Sequence, residues 1–546
     1  MPQLPPSADL GTHEVTNQPP ERGDADLWAG DAALRDHAAA AGANAAHLAR
    51  YGAEMGTAAM RAAGRDANRH PPEAVLFDAG GRRLDEVAFH PAYHRLMAAG
   101  LEAGYAAIAW EGAAGGHATH AAMVYLTTQV EPGVCCPMTM SYAAVPALGA
   151  DAGLDALWRP KLTARGYDGS IRPLARKAAA TMGMAMTEKQ GGSDVRANTT
   201  RAERDADGWR LTGHKWFCSA PMSDGFLTLA QAPGGLTCFV VPRWLEDGRN
   251  AIRIARLKDK LGNRANASAE IEFAGARGRR LGEEGAGVRT IIEMVHHTRL
   301  DTAMAPAGLM RAALIEALHW VRHRSAFQRR LIDQPLMRVV LADLALDWEG
   351  ALALGLRVAR AFDGTDAHER AFARLGVALA KFLGNKLCPN LVYEAIEVMG
   401  GMGYVEDTAL PLLYREAPLN SIWEGSGNVI CLDILRTLAR TPEAAEAVDA
   451  ELDAARGRDR RYDAALAAHR ARFAAPPEEA RARAFAESLA TLLTAAVLLG
   501  QAPAAVAEGY VATRLDGPRG RVAGSIGQAS LDSEAILARL GRGAPF

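Results

Sequence analysis

The stretch "GWRLTGHKWFCS", residues 208–219, is rich in aromatic and apolar side chains but shows no three- or four-residue spacing. It reads as a strand. "FLTLAQA" (226–232), "TCFVVP" (237–242) and "ASAEIEFAGA" (267–276) follow it, short runs parted by Gly, Asp-Gly and Pro signals. Together they predict a β-domain over residues 183–285. The chain on either side has a different character. From 26 to 182, Ala-rich segments carry apolar residues at helical spacing, broken by Gly and Pro, and residues 1–25 are Pro-rich and irregular. Long helical periodicity returns after the strands, as in "VRTIIEMVHHTRLDTAMAPAGLMRAALIEALHWV" (288–321).

The expected fold class is therefore α+β. An N-terminal helical domain with an irregular arm (1–182) precedes the β-domain (183–285). A helical bundle (286–440) follows, and a break near "RTPEAAEA" (440–447) sets off a C-terminal helical extension (441–546).

At 546 residues the chain is too long for one core. Its composition, 49% hydrophobic and 23% charged, is that of a globular protein. A formal charge of −2 gives no whole-protein field that would draw in nucleic acid or a membrane. The 61 basic residues include only 8 Lys, a bias expected of a GC-rich genome. Six scattered cysteines show no metal-ligand spacing, so no metal site is expected, and a reducing, cytoplasmic setting is. The N-terminus lacks a signal pattern, and the longest apolar run, "LATLLTAAVLLG" (489–500), is read as a buried helix too short to span a bilayer. No membrane partner is expected.

Three motifs carry chemistry. In "MGMAMTEKQGGSDV" (182–195), Thr187 offers a hydroxyl, Gly191 and Gly192 let backbone approach a ligand, and Ser193 and Asp194 can cap a turn. Such an edge suits a flat heteroaromatic ring, though a plain loop with a cap reads the same. Trp216 can stack on a ring with Ser219 at its edge, or fill the core as most strand tryptophans do. In "LNSIWEGSGNVICLDIL" (419–435), one carboxylate, Glu424, sits between Trp423 and Gly425-Ser426-Gly427. It either caps the helix "NVICLDILRTLA" (428–439) or faces a ligand as a lone acid with no neighbouring base.

Taken in order, Thr187-Glu188 with Gly192-Ser193-Asp194, Trp216…Ser219, Arg324-x-x-Phe327, Gly400-Gly401-x-Gly403-Tyr404 and Glu424-Gly425-Ser426 resemble the motifs of the acyl-CoA dehydrogenase flavoproteins. The likeness runs from about residue 80 to 440. "NQPP" (17–20), "RRLDEVAFHP" (82–91), "NSIWEGSGN" (420–428) and the C-terminal extension are similar to the AidB branch of that family, linked to the bacterial alkylation response.

The resemblance implies an acyl-CoA dehydrogenase-like fold, with a barrel-like β-domain between helical domains, and FAD as cofactor. It implies that Glu424 removes the α-proton of an acyl-CoA thioester while the flavin takes the β-hydride. A carboxylate in water is too weak for that step, so the site must desolvate the acid and bind the thioester oxygen. Met184, Met186, Thr187, Gly192 and Ser193 would line the flavin ring and pyrophosphate, and Trp216 and Ser219 would meet the isoalloxazine. Ile422, Trp423, Gly425, Ser426, Gly427 and Asn428 would cover its ring and ribityl side. Arg324, Phe327, Gly400 and Gly401 would reach a neighbouring subunit's FAD, which implies a homotetramer built from dimers.

The chain departs from the family pattern at several positions. Gln328 stands for the usual Gly, Gln334 falls one residue early, and Glu397 replaces a Gln. Trp423 replaces the commoner Tyr, which narrows the acyl pocket. Thr298 stands where one branch keeps its base and cannot serve as one.

The extension bears on double-stranded DNA as a partner. Residues 441–546 hold 13 Arg and 14 acids, so the extension is not a basic domain. Arg456, Arg458, Arg460 and Arg461 are nevertheless expected to present a basic face, Arg514, Arg519 and Arg521 a second cluster, and Arg436 a third. A charge run alone is usually a solvated helix face. With the AidB-like resemblance, binding through the DNA backbone and a role in the alkylation-damage response are expected, with at most weak dehydrogenase activity. The alternative is a metabolic short- or branched-chain acyl-CoA dehydrogenase whose extension braces an oligomer.

Overall fold

Strand Gly208–Ser219 lies between Arg201–Asp205 and Ser268–Leu281, antiparallel to both. The structure is a computed structural model in which residues 4, 6–206, 208–475, 477–517, 520, 522–526 and 531–541 are described. Strands Gly225–Ala232 and Gly235–Pro242 pair as a hairpin, and the second returns to Ser268–Leu281 through Phe239↔Arg280 and its neighbours. A parallel pairing at Arg201↔Gln231 closes the ring, so five strands form a barrel. Ile252–Leu257 and Met182–Ala185 extend it at the sides. Its filling is Trp209, Leu211, Phe226, Phe239, Ile271 and Phe273. Closure removes the sheet edges on which the two helical parts would otherwise depend for cover.

The N-terminal part is not purely helical, contrary to the sequence reading. A hairpin, Glu73–Phe77 with Arg83–Ala88, interrupts it. Its turn is built by Asp78, whose Oδ1 accepts from the Gly80 and Arg82 amides at 2.9 and 2.8 Å. The hairpin docks on the barrel, where the Ile254 amide donates to Asp85 Oδ1 at 2.8 Å. Two short strands without strict alternation are easily lost among Ala-rich helices.

Three long helices, Gly287–His323, Pro335–Asp363 and Ala367–Met399, make the bundle. The first crosses Gly116–Thr128, a helix buried on every side. The crossing is close because residue 308 has no side chain: a Cβ there would lie 2.6 Å from the Tyr125 carbonyl oxygen. Between the first two helices sits a small hairpin, Ser325–Ala326 with Arg329–Arg330. Phe327 and Gln328 at its tip have φ of +53° and +64°. Both central residues of a primed hairpin turn need positive φ, which explains why glycine suits position 328 better than glutamine.

The C-terminal segment shares the bundle's core. Phe485, Leu489, Leu493, Tyr510 and Leu537 belong to the same buried cluster as Leu346 and Trp348. The 489–500 run is part of helix Ala482–Gln501. The helical span Glu479–Gln501 is in fact long enough to cross a membrane at 23 residues, and 67% of its apolar 18-residue stretch is buried inside the protein.

Replacing Gly308 by Ala gains helix propensity of about 1 kcal/mol, but it drives a methyl group into backbone. Overpacking costs about 1–3 kcal/mol, so a net fall in the thermal melting midpoint is expected. A midpoint equal to or above that of the parent would contradict the close crossing.

Candidate functional site

Residues 417–426 link the short helix Leu410–Glu416 to helix Gly427–Arg440. One lysine holds this link in shape. Lys381 is buried on helix Ala367–Met399 and its Nζ donates to the carbonyls of Asn420 and Gly425, both at 2.9 Å. Burial lowers its pKa to about 7. Trp423 Nε1 donates to Asn420 Oδ1 at 2.8 Å, which pins the indole. Arg299 Nε donates to the Glu424 carbonyl at 3.2 Å while its Nη1 pairs with Asp433 at 2.7 Å. Glu424 itself sits at φ +57°, followed by Gly425 at +106°. A left-handed glutamate costs roughly 1–3 kcal/mol and persists only where its surroundings over-determine it. The bonds from Lys381 and Arg299 do that.

The Glu424 carboxylate is equally constrained. Thr298 Oγ1 donates to Oε2 at 2.7 Å. Desolvation raises the pKa above the ordinary carboxylate range, opposed by the Thr298 hydrogen bond and by the charges of Lys381 and Arg299. Among the described residues no donor meets Oε1. The result is an acid of raised basicity with one oxygen free. The expectation of an acid without a basic neighbour is corrected: Lys381 and Arg299 both lie within electrostatic reach. Thr298, dismissed in the sequence as a missing base, positions the acid.

The β-domain faces this acid. Met184 lies on strand Met182–Ala185, and the Trp216 amide donates to the Thr187 carbonyl at 2.8 Å. A buried ion pair, Glu188 with Lys215 at 2.8 Å, anchors the loop that follows. Glu188 also accepts from the Thr199 and Thr200 amides. The loop's outer part, Gly192 and Ser193, is exposed. Lys258 Nζ stands 3.3 Å from the centroid of the Trp216 ring. Ser219 hydrogen-bonds the buried Cys136 thiol, whose pKa burial pushes up to about 12, with the Glu424 charge adding to the shift. Cys136 thus touches the β-domain and feels the bundle's acid, so three parts of the chain converge here.

Helix Gly427–Arg440 begins at Ser426 without a side-chain cap. Lys386 Nζ donates to Ser421 Oγ at 3.0 Å, and Arg483 from the C-terminal extension donates to Asn428 Oδ1 at 3.2 Å. An uncapped helix start beside two cations suits a phosphate-bearing ligand. Met184, Met186, Trp216 and Trp423 are partly exposed and Ile422 is 63% exposed, an apolar surface for a flat ring. The donor set therefore fits a flavin dinucleotide. Arg483 was missed in the sequence, and nothing local marks it. Lys381 had a faint signal: it is one of 8 lysines, set in the apolar run "GVALAKFLG" (376–384).

The remaining candidates lie on the outer surface. Arg324 Nη1 donates to the Asn17 carbonyl at 2.9 Å, and Phe327 is 95% exposed. Gly400, with φ +60° and ψ −142°, is in a glycine-only conformation, and it and Gly401 are open to solvent. Glu397 accepts from the Tyr393 hydroxyl at 2.6 Å.

Two expectations for the arginines are corrected. Arg514 is buried between Asp343 and Asp347, at 2.5 and 2.8 Å, and cannot offer charge to solvent. Arg456 and Arg458 lie in a turn ahead of helix Arg460–Arg472, so the four do not share one helical face. Arg458 donates to the Leu499 carbonyl and Arg461 pairs with Asp459 at 2.6 Å. Arg436 and Arg456 remain 58% and 63% exposed in their side chains, with carboxylates at 3.7 and 3.8 Å. Arg519 and Arg521 lie outside the described residues.

Comparison with known proteins agrees with this geometry. Residues 17–169 match the family described as the adaptive response protein AidB N-terminal domain. Residues 183–276 match the acyl-CoA dehydrogenase middle domain and 285–439 its C-terminal domain. The chain is 45% identical to AidB of Escherichia coli (strain K12) over 92% of its length and 95% of that protein. It is 33% identical to acyl-CoA dehydrogenase family member 11 of Caenorhabditis elegans over 72% of this chain and 67% of that one. The solved structure of Caenorhabditis elegans ACDH-11 in complex with C11-CoA superposes with a TM-score of 0.80 at 28% identity, covering 94% of this chain and 92% of the other. With an AidB-type N-terminal domain, a closed β-barrel and a bundle that holds a strained glutamate, the chain belongs to the acyl-CoA dehydrogenase family of oxidoreductases.

Proposed function

We propose that this chain is an FAD-containing, AidB-like dehydrogenase in which Glu424 Oε1 takes the α-proton of an acyl-CoA thioester. The observation that carries the reading is the glutamate itself: left-handed, desolvated, tied by Thr298 at one oxygen and free at the other. Met184, Met186, Thr187, Gly192, Ser193, Trp216 and Ser219 would hold the flavin from the barrel side, with Ile422, Trp423, Gly425, Ser426, Gly427 and Asn428 on the bundle side. Bound FAD supplies the acceptor for the β-hydrogen. Thr298 and Arg299 fix the acid's direction, and Lys381 keeps its loop from relaxing. The pinned Trp423 indole favours a short acyl chain. The C11-CoA complex of the worm relative supports the thioester class. Phe327 and Tyr404, 95% and 83% exposed, support a subunit contact of the dimer-of-dimers kind, with Arg324, Gly400 and Gly401 beside it. The proposed setting is the cytoplasm.

A second role is backbone binding to double-stranded DNA in the alkylation response. The match to a domain described as that of an adaptive response protein supports it, as do the exposed Arg436, Arg456 and Arg460. If it holds, retention on duplex DNA falls steeply as salt rises, and charge removal at Arg436, Arg456 and Arg460 lowers the salt slope by about 0.9 per lost phosphate contact. Salt-independent retention would contradict it.

Glu424→Gln should keep the yellow flavin and lose about 10²–10⁴-fold in thioester oxidation, the usual worth of a general base. Unchanged rates would rule Glu424 out. The base works deprotonated, so kcat/KM rises with pH through its raised pKa. Thr298→Val removes a donor that favours the charged form, and the acid limb of the profile should move to higher pH. A limb that stays put or moves down would contradict the hydrogen bond's role.

A further inference from the structure

Away from Glu424, the segment following Arg22, helix Ala58–Arg69, helix Gly287–His323 and the short helix Leu410–Glu416 enclose a cleft of about 180 Å³. That is far more than the ~10–15 Å³ a single water needs. Four arginines line it, Arg22, Arg61, Arg65 and Arg311, against two carboxylates, Asp26 and Glu316.

The carboxylates are already committed. Asp26 Oδ1 accepts from the Trp28 and Ala29 amides, both at 2.9 Å, and Glu316 pairs with Arg22. Arg61 spends its donors on the backbone carbonyls of Arg22, Gly23 and Gly56 and forms no ion pair among the described residues. Arg65 makes no ion pair or hydrogen bond among the described residues. Arg311 lies deeper. Its side chain is only 4% exposed, with Nε on Asp31 at 3.1 Å and Nη2 on the Gly30 carbonyl at 2.9 Å. Its Nη1 is buried with no hydrogen-bond partner. Four guanidinium groups around one cleft, two of them (Arg61 and Arg65) with no ion-pair partner among the described residues, repel one another unless an anion enters. The lining also holds apolar side chains, Leu27, Ile315 and Leu412.

We propose that this cleft is a binding site for a small organic oxyanion, a carboxylate or phosphate ester with a short apolar group. The Arg65 guanidinium takes the oxygens, within the field of Arg22, Arg61 and Arg311, and Ile315 and Leu412 take the carbon end. The site is separate from the flavin loop and does not depend on the reaction assigned to Glu424.

The experiment uses the full-length, FAD-loaded protein. Butyrate, phenyl phosphate and inorganic phosphate are titrated at constant ionic strength, with chloride as the control, and binding is read by calorimetry and by the melting midpoint. Saturable binding of butyrate or phenyl phosphate is expected, weakened at least about tenfold by Arg65→Ala (one lost charge-assisted contact of ~1.5–3 kcal/mol) and partly restored by Arg65→Lys. The flavin spectrum should not change. Preference for butyrate identifies a carboxylate source, and preference for phenyl phosphate a phosphate ester. Binding no stronger than chloride, or binding indifferent to Arg65, overturns the proposal.

Discussion

The buried Lys381 ammonium holds two carbonyls, Asn420 and Gly425, at the ends of a six-residue stretch within the 417–426 link. Everything at the site depends on that bridge. With both ends tied to a rigid helix, the residues between cannot relax, and Glu424 keeps a left-handed backbone that it would otherwise leave. The strain has a use. It holds the carboxylate in a buried position where Thr298 takes one oxygen and desolvation raises its basicity. The same burial brings Lys381 down to about 7, so the clamp and the acid share one electrostatic environment.

The barrel gives this acid something to face. Its strands carry Met184, Trp216 and Ser219, paired to Leu227 and its neighbours on one strand and to Ser268–Leu281 on the other, and Cys136 ties Ser219 to the N-terminal helices next to Glu424. The C-terminal segment enters the same construction. It packs on the bundle's core, and Arg483 reaches the Asn428 side chain at the start of the helix after the acid. A segment that appears in sequence as an appendage is thus in contact with the loop that carries the chemistry. Arg514, which looked like a surface cation, serves the same attachment by pairing with Asp343 and Asp347.

Much of the fold was legible because its signals are local. Short β-rich runs between helical segments announced the β-domain, and the order of Thr187, Trp216, Arg324, Gly400 and Glu424 motifs was specific enough to name the family and, through it, the barrel. The hairpin Glu73–Phe77 with Arg83–Ala88 was lost because its strands are short and only half-buried. At the site, Glu424 stood out as a lone acid among small residues. The groups that govern its charge did not, since Thr298, Arg299 and Lys381 are 126, 125 and 43 residues away in sequence, and only the packing of two long helices against the 417–426 link brings them together. Surface charge was the least legible property of all. A string of arginines looks alike whether its members are solvated, as Arg456 is, or neutralised by acids far along the chain, as Arg514 is.

The central claim is that position 424 holds a base aimed at an acyl α-carbon. The most direct measurement separates proton removal from oxidation: acetyl-CoA has α-hydrogens but no β-hydrogen to lose, so proton NMR in D₂O can follow α-exchange alone on the FAD-loaded protein. The account predicts exchange with the parent chain and none above background with Glu424→Gln. Exchange that survives the substitution would place the base elsewhere and contradict the reading of the site.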